Sequence, residues 1–505
     1  MRTSIPVLDF VTLDPASGVP LYHQVYAELR AGILNGRLAA GTRLPSSRAV
    51  ADALGSSRRP VREAYGFLIA EGLLESRHGA GTYVRGRPAI VDAGAAEAAG
   101  TPAPLSRRGA ALVATANYET RWTGAFAPTL PAADHFPRQE FARLLARRWR
   151  RAEAADFRKP PAAGLPALRE AVAGYLATAR GVVCTPEQVM ITAGSTHAVG
   201  LLARLLANPG ERAWTENPGW PTGRQTLTAN EVAAVAVPVD RDGLDVEAGR
   251  IIAPDARLAL VSPTRQYPLG MAMSMARRME LLTWAQDQHA WIIEDDYDGE
   301  FQYSSRVLPP LQTLDRNGRV IYMGSFSKVL TQALRVGYLV VPLALAGPTA
   351  RALSHDKVVP MLAQAVLAEF LQSGEFARHV RRMRTLYRDR QHALVGALKQ
   401  RLGHALRPAM AESGFHILAA LAEGLDEREL SRRCAEHGVY APPLEDYFHV
   451  DTRPALSLAD GMLPGPTLVL GFAALDAVEL DRGVTVLQQL TAGLVVAAPR
   501  SVHPA

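Results

Sequence analysis

The segment GSFSKVLTQALRVGY, residues 324–338, surrounds a lysine with groups that can bind an anion. Lys328 follows Ser325 and Ser327, and it precedes Arg335 by seven residues. Lysine is rare in this chain of 505 residues, because only four of its 55 Lys and Arg side chains are lysines. A lysine amine can form a Schiff base with an aldehyde, and nearby hydroxyls and an arginine can hold a phosphate on the same molecule. The pattern therefore predicts that Lys328 binds a phosphorylated aldehyde.

Three further segments carry groups that such a ligand needs. ITAGSTHA passes from an apolar strand into a helix at Ser195 and Thr196, where free backbone N–H groups can bind phosphate. EDDYDGEF ends a strand in carboxylates around Tyr297, and one of them, Asp295, could pair with a pyridinium nitrogen. Trp220, within NPGWP, could stack on a flat ring. Taken singly, these segments also fit a glycine turn with a capping serine, a metal site and a packing tryptophan.

Together the four segments meet the requirements of pyridoxal 5′-phosphate (PLP), whose ring accepts electrons when its nitrogen is protonated. The carboxylate cluster contains neither Cys nor His, so a metal is not expected there. The other lysines, Lys159, Lys357 and Lys399, have no comparable neighbours. We therefore predict Lys328 as the PLP lysine.

Alternating strands and helices are expected to position these groups. VMIT (189–192), LALVS (258–262), WII (291–293) and VIYM (320–323) are short apolar runs, typical of the buried strands of a parallel sheet. Helical stretches separate them. This order predicts an open α/β sheet that binds its ligand beyond the carboxyl ends of the strands.

The first part of the chain is organised differently. Its first helix is indicated by apolar residues at every fourth position, namely Leu21, Val25, Leu29 and Ile33. Two more helices are expected after the serines of LPSSRAVADALG and SSRRPVREAYG, and LLESRHGAGTYV predicts two strands around a glycine-rich turn. Three helices and a hairpin predict a winged helix-turn-helix over residues 15–86.

Charge is uneven along the chain. Residues 1–87 hold 11 Arg and 7 acidic residues, which gives +4 of the total net charge of +6. This basic excess fits nucleic acid, although an arginine-rich solvated surface would look the same. Residues 87–117 are rich in Ala, Gly and Pro and are predicted to be a linker, followed by a PLP-binding domain over residues 118–495.

Several classes of protein are disfavoured by the sequence. Two cysteines, Cys184 and Cys434, cannot build a disulfide framework, which fits a reducing cytosol. No apolar run is long enough to span a bilayer, and the amino terminus does not have the pattern of a signal peptide. We therefore expect a cytoplasmic protein.

Residues 44–84, from LPSSRAV to GAGTYV, resemble the DNA-binding domain of the GntR family of bacterial regulators. The resemblance implies contacts to double-stranded DNA from the turn before the second helix, the start of the third helix and the wing tip. The corresponding positions are Arg48, Ser57, Arg58, Arg59, Arg62, His78 and Gly79. Relatives often carry other residues at Arg59 and Pro60, so the base sequence that is read stays open.

The larger part resembles fold-type I aminotransferases, because AGSTHA, NPGWP, SPTRQYPLG, EDDYDGEF and GSFSK…LRVGY occur in the family's order. The resemblance implies a mostly parallel sheet with a smaller C-terminal α/β subdomain. It also implies residue roles: Lys328 carries PLP, Asp295 pairs with the ring nitrogen, and Trp220 stacks. The phosphate is held by Ser195, Thr196, Ser325, Ser327 and Arg335, and the phenolic oxygen is contacted by Tyr297 and Tyr267.

A GntR winged helix joined to such a domain resembles the MocR subfamily of transcription regulators. The resemblance implies a head-to-tail homodimer that senses a small molecule. Two positions depart from the aminotransferases: Val469 replaces the arginine that binds the substrate carboxylate, and Lys159 replaces a tyrosine that reaches the partner's phosphate. Arg224 could substitute for the missing arginine.

Three hypotheses follow from these patterns. The first is a PLP-binding transcription regulator whose effector is PLP itself, as in the control of vitamin B6 synthesis, or an amine such as GABA or taurine. The second is a working aminotransferase that also binds DNA. The third is a winged-helix protein whose PLP fold only dimerises, which predicts a colourless protein.

Overall fold

The computed structural model describes residues 11, 13–14, 17–77, 79–85, 105–115, 124–303, 309–356, 359–449 and 465–495. The chain divides into two units, residues 1–104 and residues 105–505. No helix in these described ranges combines the length and the hydropathy that a membrane-spanning segment needs.

The first unit is a three-helix domain with a small sheet. Its helices are α1 (Leu21–Leu34), α2 (Ser47–Leu54) and α3 (Arg58–Ala70), and its strands are β1 (Arg43–Leu44), β2 (Leu74–Arg77) and β3 (Gly81–Val84). The sheet order is β1-β3-β2, and both pairs are antiparallel. The three helices and the hairpin were predicted, whereas β1 was not, because a two-residue strand leaves no periodic signal in the sequence.

Local chemistry explains where α2 begins and ends, and apolar spacing explains which face of α1 is buried. Ser46 caps α2, since its Oγ accepts a hydrogen bond from the N–H of Ala49 at 3.2 Å, and Gly55 ends the same helix in the left-handed conformation. The predicted stripe of α1 is the face that becomes buried, as Val25, Leu29 and Ile33 pack into the core of the unit.

The second unit is built on an eight-stranded sheet in the order β4-β11-β10-β9-β8-β5-β6-β7. The strands are β4 (Val189–Thr192), β5 (Arg212–Asn217), β6 (Ala233–Asp240), β7 (Gly243–Leu244), β8 (Leu258–Val261), β9 (Trp291–Asp295), β10 (Val320–Ser325) and β11 (Gly337–Val340). Neighbours from β10 through β6 are parallel, while β11 is antiparallel to both β10 and β4. The predicted α/β class with a mostly parallel sheet is confirmed.

Helices separate several of the strands, as the sequence indicated, and others precede and follow the sheet. They are α4 (Arg107–Thr115), α5 (Arg138–Arg150), α6 (Pro166–Ala179), α7 (Ser195–Leu206), α8 (Pro221–Ala229), α9 (Val246–Ile252), α10 (Met275–Asp287), α11 (Leu343–Leu353) and α12 (Met361–Gln372). Apolar side chains from the sheet and from these helices form three large buried clusters.

A smaller C-terminal subdomain follows, as expected. It contains the helices α13 (Glu375–Leu402), α14 (Glu427–Glu436) and α15 (Ala477–Val495) and the strands β12 (Leu406–Pro408), β13 (His416–Leu421) and β14 (Thr467–Gly471). The three strands form an antiparallel sheet in the order β12-β13-β14.

The structure differs from the prediction in the segment 87–117, which was expected to be a linker. Helix α4 lies within that segment and packs against α8 of the second unit. Ser106 caps it, because the Ser106 Oγ accepts from the N–H of Gly109 at 3.0 Å, and Arg108 lies 3.8 Å from Glu231. The Ala- and Gly-rich composition obscured a helix that is held by a cap and by tertiary contacts.

Candidate PLP site and DNA-binding surface

The predicted cofactor residues lie at one edge of the large sheet. Strands β5, β9 and β10 share one direction in the parallel ladder and end at this edge. Strand β4 points the same way, because it is antiparallel to β11, which is antiparallel to β10. Each of the four motifs follows one of these ends, and the register pairs Met323 of β10 with Asp295 of β9. Lys328 therefore follows β10 beside the strand that ends in the carboxylates.

Lys328 is partly buried, and its Nζ donates to the carbonyl oxygen of Thr129 at 3.2 Å. Burial lowers the pKa of the Lys328 amine to about 8, against the opposing attraction of Asp295 and Asp298. A substantial fraction of this amine is therefore neutral near physiological pH. A neutral amine is the nucleophile that attacks an aldehyde.

The first four carboxylates of EDDYDGEF, at positions 294, 295, 296 and 298, have different environments. Glu294 accepts from the N–H groups of Leu311 and Gln312 at 2.6 and 2.8 Å. Asp296 forms a buried ion pair with Arg180 at 2.7 Å.

Asp298 forms another buried pair, with Arg265 at 2.9 Å. Asp295 differs from the other three carboxylates, because it accepts no hydrogen bond from the described residues and its Oδ1 is buried. Burial, with repulsion from Asp296 second, raises the pKa of Asp295 to about 7, although the neighbouring Lys328 opposes the rise. A buried carboxylate without a donor fits a protonated ring nitrogen, which was the predicted partner.

Phosphate-binding groups lie together at the start of α7. The first hydrogen bond within that helix runs from Ala198 N to Gly194 O at 3.0 Å, so the N–H groups of Ser195 and Thr196 are not used inside the helix. Arg335 adopts the left-handed conformation, with φ 50°.

Its Nη2 donates to the carbonyl of Ala193 at 3.2 Å, and a Cβ on Gly194 would lie 3.6 Å from the Arg335 guanidinium carbon. Ser325 and Ser327 are adjacent to each other, because the Ser327 N–H donates to the Ser325 Oγ at 3.1 Å. A helix N-terminus, an arginine and two hydroxyls form a cradle that fits a phosphate dianion.

Three aromatic residues form the ring side of the candidate site. Trp220 packs over Gly223, where a Cβ would lie 2.4 Å from the indole. Trp220 also packs against the buried cluster that contains Tyr267 and Tyr297. The hydroxyl of Tyr297 accepts from Arg265 Nη1 at 3.4 Å. The three aromatic residues thus lie together beside Arg265, and their contact with the cofactor stays a prediction.

The structure shows the surroundings of the two residues that depart from the aminotransferase pattern. Val469 is fully buried in the same apolar cluster as Tyr267 and Tyr447. The Nζ of Lys159 donates to the carbonyl of Ser354 at 3.3 Å.

Arg224 lies one helical turn after Trp220, donates to the carbonyl of Phe448 at 3.1 Å and pairs with no carboxylate among the described residues. Burial lowers the pKa of the Arg224 guanidinium.

Sequence reasoning missed two residues of the site. Thr129 contributes only a backbone carbonyl, which leaves no trace in residue type. Arg265 lies within SPTRQYPLG and was not singled out, although an arginine just after a buried strand could have indicated a polar role. In the fold it connects Asp298, Tyr297 and the carbonyl of His416.

The predicted DNA contacts lie on one part of the first unit. Exposed side chains at the second and third helices are Arg48, Ser57, Arg58, Arg59 and Arg62. Arg58 Nε donates to Ser47 Oγ at 3.0 Å, and Arg59 pairs with Glu63 at 3.1 Å. Gly79 lies in the exposed wing turn with φ 72°, whereas His78 falls outside the described residues.

The fold and the cradle around Lys328 define a fold-type I PLP protein. The solved α-aminoadipate aminotransferase LysN from Thermus thermophilus, in complex with N-(5′-phosphopyridoxyl)-L-leucine, matches with a TM-score of 0.64 and 28% identity. The match covers 78% of this chain and 96% of that protein. Residues 135–461 match the aminotransferase class I and II family, and residues 21–84 match the gntR family of bacterial regulatory proteins.

Two curated relatives share both parts. The probable rhizopine catabolism regulatory protein MocR of Rhizobium meliloti is 38% identical over 95% of this chain and 95% of its own length. The pyridoxine biosynthesis transcriptional regulator PdxR of Corynebacterium glutamicum is 32% identical over 81% of this chain and 85% of its own length. The chain belongs to the MocR family of GntR-type transcription regulators, with a PLP-dependent aminotransferase-like domain.

Proposed function

We propose that the protein regulates transcription in response to PLP itself, or to an amine that displaces PLP from Lys328. The observation that carries this proposal is the buried carboxylate of Asp295, which lies beside Lys328 and accepts no hydrogen bond from the described residues. When bound, PLP supplies an aldehyde carbon for which a primary amine can compete.

Each side chain of the candidate site has a proposed task. Lys328 is the attachment residue, Asp295 keeps a proton on the ring nitrogen, and Trp220 excludes water from one ring face. Tyr267 and Tyr297 contact the phenolic oxygen. The phosphate is held by Ser195, Thr196, Ser325, Ser327 and Arg335. In the first unit the proposed DNA contacts are Arg48, Ser57, Arg58, Arg59, Arg62, His78 and Gly79.

PLP itself is the favoured effector because of Val469. This side chain is fully buried among Tyr267 and Tyr447, at the position where aminotransferases carry the carboxylate-binding arginine. A substrate carboxylate against this wall would lose its hydration without gaining a charged partner. The target genes proposed on this basis are those of vitamin B6 or amino-acid metabolism.

A homodimer in the cytoplasm is proposed as the working form. Leu145, Trp149 and Phe157 are 40%, 52% and 67% exposed, and the two aromatic rings lie 6.1 Å apart. Exposed apolar side chains clustered in this way are typical of an interface. A head-to-tail pairing of two chains would cover them.

The proposal is tested by measuring how the purified protein binds its own upstream intergenic DNA, at fixed salt, with and without PLP. We expect PLP to change the affinity of the wild-type chain and of Lys399→Ala, which removes an exposed lysine of α13. Lys328→Ala should abolish the change. If the protein shows the visible absorbance of bound PLP but binds DNA equally with and without added PLP, the effector is an amine instead.

Transamination is the second candidate, and Arg224 favours it. This half-buried cation pairs with no carboxylate among the described residues and lies one turn from Trp220, so it could bind a substrate carboxylate in place of the missing arginine. Transamination would be established if the protein turns over an amino donor with 2-oxoglutarate and Arg224→Met loses this activity. If the protein is colourless and PLP does not change its DNA binding, both candidate functions are overturned. The second unit would then serve only in dimerisation.

A further inference from the structure

His197 lies in the first turn of α7 and binds back to the residue that leads into the helix. Its Nδ1 accepts a hydrogen bond from the backbone N–H of Ala193 at 2.9 Å. The cap of the helix is Gly194, which has no side chain, so no capping group occupies the N–H groups of Ser195 and Thr196. In a capping box, a side chain of the first turn likewise binds back to the backbone before the helix. His197 therefore fixes the entry to α7 and leaves the helix N-terminus open.

Ala193 is also held at its carbonyl. This oxygen accepts a hydrogen bond from Arg335 Nη2 at 3.2 Å. His197 and Arg335 thus bind the N–H and the C=O of one residue, which joins β4 to α7. Because both contacts meet at Ala193, a displacement of this residue would also move the anchor of the Arg335 side chain.

The His197 ring is held in turn by its surroundings. A ring nitrogen that accepts a hydrogen bond carries no proton, so the Nδ1 contact requires a neutral imidazole with its proton on Nε2. Nε2 lies 3.3 Å from Oδ2 of Asp356, without the alignment of a hydrogen bond, and Asp356 also pairs with Arg204 of α7. The side chains of His197 and Asp356 are only 9% and 17% exposed. Water therefore competes little for the Nδ1 acceptor.

We propose that His197 is a positioning residue for the phosphate of PLP, acting through Ala193 on Arg335 and on the N–H groups at the start of α7. This inference rests on the proposed function, because it needs the phosphate to lie in the cradle that contains Ser195, Thr196 and Arg335. Without the Nδ1 acceptor, the Ala193 N–H loses its partner and the turn before α7 can shift. A purely structural cap would stabilise the fold and leave phosphate binding unchanged.

The test compares the binding of PLP and of pyridoxal to the full PLP-free chain, followed by visible absorbance. Pyridoxal has the same ring and aldehyde but no phosphate. His197→Leu and His197→Phe remove the acceptor with different shapes, whereas His197→Asn keeps it, since its Oδ1 is an acceptor on the same γ carbon. We expect the ratio of PLP affinity to pyridoxal affinity to fall about tenfold in the Leu and Phe variants, the effect of one lost hydrogen bond, and to persist in the Asn variant.

Phosphorus NMR of bound PLP gives a second measurement, because it reports on the phosphate and not on the stability of the fold. The signal should move toward that of free PLP in His197→Leu and His197→Phe, and stay in place in His197→Asn.

Gln188→Leu is the matched control. The Gln188 Oε1 accepts from the N–H of Thr185 at 3.1 Å, in a capping box just before β4. The substitution removes the same kind of bond, from a side chain to a backbone N–H, away from the cradle. It should lower the stability of the chain in urea and leave the ratio of the two affinities unchanged.

The outcomes separate this inference from the proposed function. If the wild-type chain binds PLP and pyridoxal equally, the cradle holds no phosphate and the proposed function fails as well. If the wild type prefers PLP and the folded Leu or Phe variant keeps that preference, His197 is only a structural cap and the proposed function stands. An equal fall of the ratio in Gln188→Leu, or in His197→Asn, would also overturn the positioning role.

Discussion

Replacing Asp295 by Asn should stabilise the PLP-free protein at alkaline pH. The pKa of this carboxyl rises from an ordinary 3.8 to about 7, mainly because burial disfavours its charged form. The folded chain then keeps a proton that the unfolded chain releases, so stability is lost as the pH rises between these two values. A rise of about three in pKa corresponds to about 4 kcal/mol, and we expect on the order of 2–4 kcal/mol in practice.

The amide that Asp295→Asn introduces is nearly isosteric with the carboxyl and stays neutral, so the variant avoids this loss. Wild type and Asp295→Asn should therefore diverge progressively between about pH 4 and pH 7, with the variant the more stable above that range. With PLP bound the order should reverse, because the wild-type carboxylate then gains the ring nitrogen as its partner. A destabilised functional group of this kind is a common cost of activity.

Urea denaturation followed by tryptophan fluorescence is the assay, since all six tryptophans lie beyond residue 104 and report on the second unit. Asp298→Asn is the matched control. Its carboxylate is paired with Arg265, although burial raises its pKa to about 6, so that substitution should destabilise the chain by about 3–5 kcal/mol above about pH 6, where the pair is ionised. The reasoning is refuted if PLP-free Asp295→Asn is no more stable than wild type at about pH 8, which would mean that Lys328 already compensates the charge.

Two further predictions concern the DNA-binding surface and the packing around Arg265. Arg62→Ala should lower the slope of log affinity for DNA against log salt by about one for each lost phosphate contact. Arg30→Ala is the control and should leave the slope unchanged, because Arg30 pairs with Glu71. Equal slopes in the two variants would show that Arg62 does not contact DNA. Gly414→Ala should unfold or misfold the second unit, because its Cβ would lie 1.8 Å from Arg265 Nη1. Gly424→Ala, at a similar positive φ with open space around it, should lower the free energy of unfolding in urea by only about 1–2 kcal/mol. An equally small loss of stability in Gly414→Ala would contradict the packing around Arg265.

Much of the fold followed from local patterns. Each of the four predicted strands appears, because short apolar runs that are buried on both faces have few alternatives in an α/β protein. Helix α2 begins at a serine cap that the sequence indicated. The sheet order was not predicted, since pairing between distant strands depends on contacts that no local pattern records.

The candidate site was predicted as a set of residues and not as an arrangement. Lys328, Asp295 and Arg335 were identified by chemical type, because a Schiff base, a pyridinium and a phosphate each require a particular group. Which carboxylate of the cluster stays unpartnered could not be read from spacing. The answer depends on Arg180 and Arg265, which approach from distant parts of the chain to pair with the other aspartates.

The sequence by itself predicted the two-part organisation and proposed the groups that would hold PLP, because residue types at fixed spacing specify donors, acceptors and nucleophiles. Only the tertiary structure decided their electrostatic state and their neighbours. Burial shifts the pKa of Lys328 to about 8 and that of Asp295 to about 7, and burial is a property of the packed chain.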